Sequence, residues 1–142
     1  MTEISVEEYR ALMKLPANRP SKYGAIRCEY RGHKFDSKAE RDFFPLLELL
    51  LANRFIDLIL RQVPVHLPAQ HGEKGRIYRM DYLVNVREGE NARSKDVGFH
   101  FLDVKGRDTQ ASASKRSFAS NYLPRPIELV HRLSNGGYDW PR

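Results

Sequence analysis

Asp103-Val104-Lys105 sets a carboxylate and an ammonium two residues apart in a stretch that alternates as a strand does. On a strand, such side chains project to the same face, so both charges can meet one bound group. Phosphodiester hydrolysis needs this combination. Carboxylates hold a hard divalent cation such as Mg²⁺, and a positive charge stands beside the attacking water and the phosphate. Asp81 lies inside a second alternating run, residues 77–86, among Met80, Tyr82, Leu83 and Val84. Those neighbours read as buried, and a carboxylate near a core needs a partner or a metal. If the two strands are neighbours, Asp81 can meet Asp103 across the ladder. Glu40 opens a further possibility in the first turn of a helix.

Each of these residues also has an ordinary reading. Glu40 completes the capping box Ser37-Lys38-Ala39-Glu40, a role compatible with a place in a site. Asp103 and Lys105 could form a surface ion pair. Gln62 lies in a strand, where it is either a structural glutamine or a group within reach of the metal shell. Ser112, Ser114, Lys115 and Arg116 form either a solvated helix face or a contact for nucleic-acid backbone. His33, His66, His71, His100 and His131 lack ligand spacing, which argues against zinc.

The elements that must position these groups follow from the pattern. Residues 4–15 carry apolar positions near a helical period and end at Pro16; residues 16–24 mix turn formers with bases and read as a linker. Residues 25–35 fit a hairpin turning at Arg31-Gly32. The capping box starts a core helix carrying Phe43, Phe44, Leu46, Leu47, Leu50 and Leu51 to near Asn53, with a kink expected at Pro45. Strands are expected over 58–67, with Pro64 marking an edge or bulge, over 77–86 and over 97–105. A helix capped by Asp108 or Thr109 spans 110–122, and a short strand spans 127–132. Residues 133–142 read as a tail with a Gly136-Gly137 turn. The order helix, three strands, helix, strand predicts an α/β (α+β) layout around a mixed sheet.

Composition limits the rest. The 142 residues suit one domain, and the single Cys28 excludes an internal disulfide. No apolar run approaches the roughly 18 residues that cross a bilayer, and the N-terminus lacks the regions of a signal peptide, so a cytoplasmic protein is expected. The formal charge is +6. Six bases between Lys14 and Lys34 face one acid, Glu29, and a second basic stretch runs from Lys105 to Arg132. Two basic stretches flanking a carboxylate group point to a nucleic-acid partner.

Glu40 on a helix, Asp81 on one strand and Asp103-x-Lys105 on the next resemble the pattern of the PD-(D/E)XK nuclease superfamily. Phe35-Asp36-Ser37-Lys38-Ala39-Glu40, Tyr78-Arg79-Met80-Asp81-Tyr82 and Asp103-Val104-Lys105-Gly106 together look like the small phage-encoded nuclease family related to phage endonuclease I, a Holliday-junction resolvase. The resemblance covers residues 22–132. It implies a restriction-endonuclease-like core over 22–142, preceded by an N-terminal helix and basic linker over 1–21. It also implies Mg²⁺, with Mn²⁺ as a substitute, held by Asp81, Asp103, the Val104 carbonyl and Glu40, and Lys105 acting on the water. DNA, branched in the endonuclease I family, is the implied substrate, with Lys115 and Arg116 as contacts; the linker bases Arg19 and Lys22 are placed to wrap it by their charge alone. A resolvase cuts two strands, which implies a homodimer. Met80 replaces the proline that names the superfamily, and Asp103 stands where the endonuclease I branch has glutamate. Other functions compatible with the residues are a nicking, mismatch or restriction-like endonuclease, a non-catalytic nucleic-acid-binding module, and a phage structural or regulatory protein.

Overall fold

A computed structural model of the chain describes residues 28–69, 74–89, 96–106 and 109–141. The helix expected over 4–15 and the linker bases Arg19 and Lys22 lie outside them. The chain divides into two compact units, Met1–Lys38 and Ala39–Arg142.

In the first unit, β1 (Cys28–Tyr30) and β2 (His33–Phe35) form an antiparallel pair with Tyr30 opposite His33. The intervening Arg31 and Gly32 have φ of 48° and 79°. Positive φ at both central residues is the requirement of a two-residue turn whose twist matches the strands. Glycine meets it without strain. The turn expected at Arg31-Gly32 is therefore present, with the Arg31 guanidinium 5.3 Å from the centre of the Tyr30 ring.

The second unit is built on α1 (Lys38–Ala52), β3 (Ile56–Leu67), β4 (Arg76–Val86), β5 (Gly98–Val104), α2 (Gln110–Ser120) and β6 (Glu128–Val130). The sheet order is β3-β4-β5-β6, with antiparallel pairs except for the parallel pair β5/β6. A parallel neighbour requires a crossover, and α2 supplies it. This is the α+β arrangement with a mixed sheet that the element order predicted.

α1 continues through Pro45 and ends in a reciprocal cap: the Phe55 N–H donates to the Leu50 carbonyl at 2.9 Å and the Arg54 N–H to that of Leu51 at 3.1 Å. Arg54 takes φ 58° there, a position usually given to glycine. α1 buries Phe43, Phe44 and Leu47. Phe43 meets Tyr82 of β4 edge-on at 5.8 Å, and Phe44 stacks on it at 6.3 Å. Aromatic pairs of this kind add about 0.5–1.5 kcal/mol beyond area burial. Thr109 caps α2, accepting the Ser112 N–H at 3.1 Å. α2 contributes Ala119 to a core cluster with Leu67, Met80, Phe101 and Ile127.

Pro64 lies in β3, which borders β4 on one side only. An edge strand tolerates a residue without an N–H. Residues 133–141 differ from the expected tail. Arg132 bridges to Tyr138, and Tyr138 and Trp140 pack on Phe43 at 5.0 and 6.3 Å. Trp140 is buried. Burying one large apolar side chain is worth roughly 1.5–3 kcal/mol, enough to draw this segment onto the core.

Candidate active site

Two strands and one helix deliver the carboxylates. The β4/β5 ladder runs to Tyr82 opposite Leu102, and one step further Asp81 faces Asp103. Here side chains replace the ladder. Asp81 Oδ2 accepts the Val104 N–H at 2.8 Å, and Asp103 Oδ1 accepts the Asp81 N–H at 3.1 Å. Each carboxylate thus holds the other strand's backbone, which fixes Asp81 in the middle of β4 and Asp103 near the end of β5. Tyr78, three residues before Asp81, donates its hydroxyl to Asp103 Oδ2.

Glu40 comes from the first turn of α1. The Tyr82 hydroxyl donates to the Glu40 carbonyl at 2.8 Å, tying this turn to β4. Gln62 Nε2 donates to Glu40 Oε2 at 2.8 Å. Gln62 itself has φ 50° inside β3, between the pairs Arg61/Tyr82 and Val63/Met80, and so lies opposite Asp81. A non-glycine residue in that region costs of order 1–3 kcal/mol and persists where surroundings enforce it. The enforced conformation is the one that bonds Glu40.

Glu40 is 6% exposed, Asp81 8% and Asp103 1%. Three carboxylates are thus withdrawn from water beside one another. For Asp81 the pKa lies well above the ordinary aspartate range, first through burial and then through the charges of Glu40 and Asp103. The Val104 N–H and the Lys105 ammonium act in the other direction without cancelling it. Lys105 follows the last residue of β5, half-buried, with its N–H bonded to the Val130 carbonyl at 3.1 Å. Burial and Asp103 also raise the Tyr78 hydroxyl, which stays protonated as a donor.

Hence Glu40, Asp81, Asp103, Lys105 and Gln62 meet in one region, and Val104 adds its backbone. Lys115 is exposed on α2, and the charge of Arg116 reaches Tyr78. Arg19 and Lys22 lie outside the described residues. Tyr78 escaped sequence reasoning because its alternation marked it as an apolar-face residue. A phenol near two carboxylates was the available signal, since a buried Tyr hydroxyl seeks a partner. Among the described residues, no three His, Cys, Asp or Glu side chains already stand at the mutual spacing that would grip an ion. No helix among them is long and apolar enough to cross a membrane.

An α+β domain with a buried carboxylate group shared by its two central strands and the first turn of a helix is the class that fold and site define. Over residues 20–132 the chain matches the family described as protein of unknown function, DUF1064, and it belongs to that family. Neither the curated proteins nor the solved structures contain a match.

Proposed function

We propose that the protein is a metal-dependent endodeoxyribonuclease of the PD-(D/E)XK type, acting on DNA phosphodiesters and most specifically on branched DNA, as a homodimer. The observation that carries this reading is the convergence of Glu40, Asp81 and Asp103, from three elements, on a place where burial and mutual repulsion disfavour the Asp81 charge. Such an arrangement lowers stability unless a cation joins it. The donors are all hard oxygens, the set that suits Mg²⁺ or Mn²⁺. Asp81 and Asp103 would hold the ion, with Glu40 and the Val104 carbonyl completing the set.

When bound, the cation would polarise the phosphate and lower the pKa of water. The chain's own residues do the rest. Lys105 places a positive charge beside the carboxylates, where it orients the attacking water and meets charge developing on the phosphoryl oxygens. Gln62 aims the Glu40 carboxylate, and Tyr78 restrains Asp103. The net charge of +6 favours a polyanionic substrate.

One observation favours a second reading, a nucleic-acid-binding module without turnover: three of the four Asp81 and Asp103 carboxylate oxygens accept protein hydrogen bonds. Incubation with supercoiled plasmid separates the two. Nicking or linearisation in Mg²⁺ that stops in chelator supports the nuclease, and binding without cleavage in Mg²⁺ or Mn²⁺ supports the module. Faster cleavage of a four-way junction than of a matched duplex supports branched DNA, while equal rates favour a nicking, mismatch or restriction-like enzyme.

A further inference from the structure

Beside the carboxylates, a cavity of about 450 Å³ opens between the start of β4 and α2. Arg76, Ile77, Tyr78, Ser114, Lys115 and Phe118 line it. Its volume falls within the range of small-ligand clefts. Its walls are of two kinds. Tyr78 and Phe118 give aromatic surface and Ile77, 53% exposed, an aliphatic one; Arg76 and Lys115, both exposed, bring positive charge to the rim. Tyr78 belongs to both places, because its ring lines the cavity while its hydroxyl donates to Asp103. The cavity and the candidate active site therefore share one residue, Tyr78.

Aromatic and aliphatic walls below a cationic rim suit a ligand with a flat apolar face and an anionic linkage. A nucleotide has both: bases stack on aromatic side chains, and phosphates meet Arg and Lys. A base inside a continuous duplex is already stacked on both faces and must leave the stack to enter such a cleft. An unpaired nucleotide enters without that cost. An isolated apolar ligand would leave Arg76 and Lys115 unused, and a purely electrostatic contact would leave Ile77 and Phe118 unused. The charge of Arg116 also reaches Tyr78, adding a third cation near the same wall.

We propose that this cavity binds an unpaired nucleotide of the DNA strand adjoining the phosphate presented to Asp103. The inference rests on the nuclease reading and narrows its substrate to DNA with a gap, flap or open crossover beside the cut. The structure-selective behaviour of the enzyme then resides in β4 and α2, and not in base-edge readout.

Binding of the full-length protein to an intact duplex and to the same duplex with a two-nucleotide gap tests this, by anisotropy in chelator so that no cleavage occurs. The wild type should prefer the gapped DNA. Ile77→Asp, which sets a carboxylate on the apolar wall and against the phosphate, should weaken gapped-DNA binding by about tenfold or more and intact-duplex binding much less. Ile77→Ser, a milder change at the same exposed position, should lower the same preference even if the aspartate variant folds poorly. Arg87→Ala removes one exposed charge outside the cavity and should leave the preference unchanged. A wild type without preference for the gap, or Ile77 variants that retain it, overturns the proposal. Cleavage of plasmid in Mg²⁺ is measured separately. Cleavage with an unchanged gap preference in the variants sinks the cavity assignment alone; an Ile77-dependent preference without cleavage sinks the nuclease reading and leaves the cavity as a binding site. If the wild type binds neither DNA, the cavity assignment fails, and the nuclease reading fails with it only where plasmid is also left uncut in Mg²⁺.

Discussion

β5 carries a buried ionisable group near each end, and the two ends are built on opposite principles. Near its start, His100 sits among complementary partners. Its Nδ1 lies 2.5 Å from Glu128 Oε2, its Nε2 lies 2.7 Å from the Asp96 carbonyl, and Trp140 closes over it at 5.9 Å. At its end, Asp103 meets Asp81, a group of its own sign that also feels the charge of Glu40. Burial of a charge beside its opposite is close to neutral in energy and fixes geometry, whereas burial of like charges costs stability. The first end can be explained by folding alone. The second burdens the fold, a cost that the cation of the proposed site would offset.

The largest expected effect separates the two ends by activity. Asp81→Asn and Asp103→Asn should each abolish Mg²⁺-dependent cleavage while leaving DNA binding intact or slightly tighter, because each removes a ligand and a negative charge from a polyanion site. His100→Gln, at the other end of the strand, should turn over within about twofold of wild type at a temperature where it is folded, since surface and distant changes leave transition-state contacts in place. Plasmid-nicking rates check all three. Near wild-type rates in both aspartate variants would refute the site.

Lys105 should show the next largest effect. Its ammonium matters chiefly when charge builds on the phosphoryl oxygens, so Lys105→Ala should lose about 10² to 10³ in rate, the usual cost of one preorganised donor. Metal affinity, read by calorimetry, should change little. Lys105→Arg keeps the charge but spreads it over a longer planar group, and it should also be poorly active. Full activity in Lys105→Ala would remove this residue from the reaction.

These contrasts were unequally legible in the sequence. Alternation over residues 77–86 and 97–105 places Asp81 and Asp103 on adjacent strands, as they are, because period-two patterning is local, while Lys105 falls one residue past the end of β5. The capping box located Glu40 for the same reason. The left-handed turn of Gln62, the Tyr78 bond to Asp103 and the closure of Tyr138 and Trp140 on Phe43 depend on partners 22 to 97 residues away. No local pattern encodes them. His100 and Glu128 look unremarkable 28 residues apart, and only the parallel β5/β6 pairing brings them together.

Stability in chelator provides a smaller, sharper contrast. A carboxyl whose folded pKa is raised stabilises the fold fully below its unfolded pKa, and that contribution is lost as pH rises through the folded pKa. At neutral pH Asp81 is therefore a burden on the metal-free protein. Asp81→Asn retains an oxygen to accept the Val104 N–H, so it should raise the melting temperature, by roughly 2–4 °C for each kcal/mol of relieved repulsion. Glu128→Gln at the other end should lower it. Adding Mg²⁺ should stabilise the wild type more than Asp81→Asn, because only a protein that binds the ion gains from it. A lower melting temperature for Asp81→Asn would show that its charge is compensated within the fold.

The smallest effect concerns pH at the His100 end. The Glu128 hydrogen bond raises the His100 pKa, with the Asp96 carbonyl adding to it, while burial and the Arg125 guanidinium, 3.1 Å from Nε2, oppose. The sign is fixed by the direction of the shift. A histidine with a raised folded pKa contributes stability fully present below its unfolded value of about 6.5 and lost as pH rises through the higher folded value. Asp81 gives the wild type a slope of the same sign, so the wild-type profile alone cannot assign it to His100. Comparison with Glu128→Gln can, because that substitution leaves Asp81 untouched. The two proteins should differ most near pH 6, by on the order of 1 kcal/mol for one charge-assisted hydrogen bond, and converge toward pH 9 as the imidazole becomes neutral. Denaturant unfolding at both pH values measures the difference. A gap of equal size at pH 6 and pH 9 would mean that His100 is neutral throughout and that Glu128 stabilises the strand end by packing or by another bond, and the distinction drawn between the two ends of β5 would then rest on the carboxylates alone.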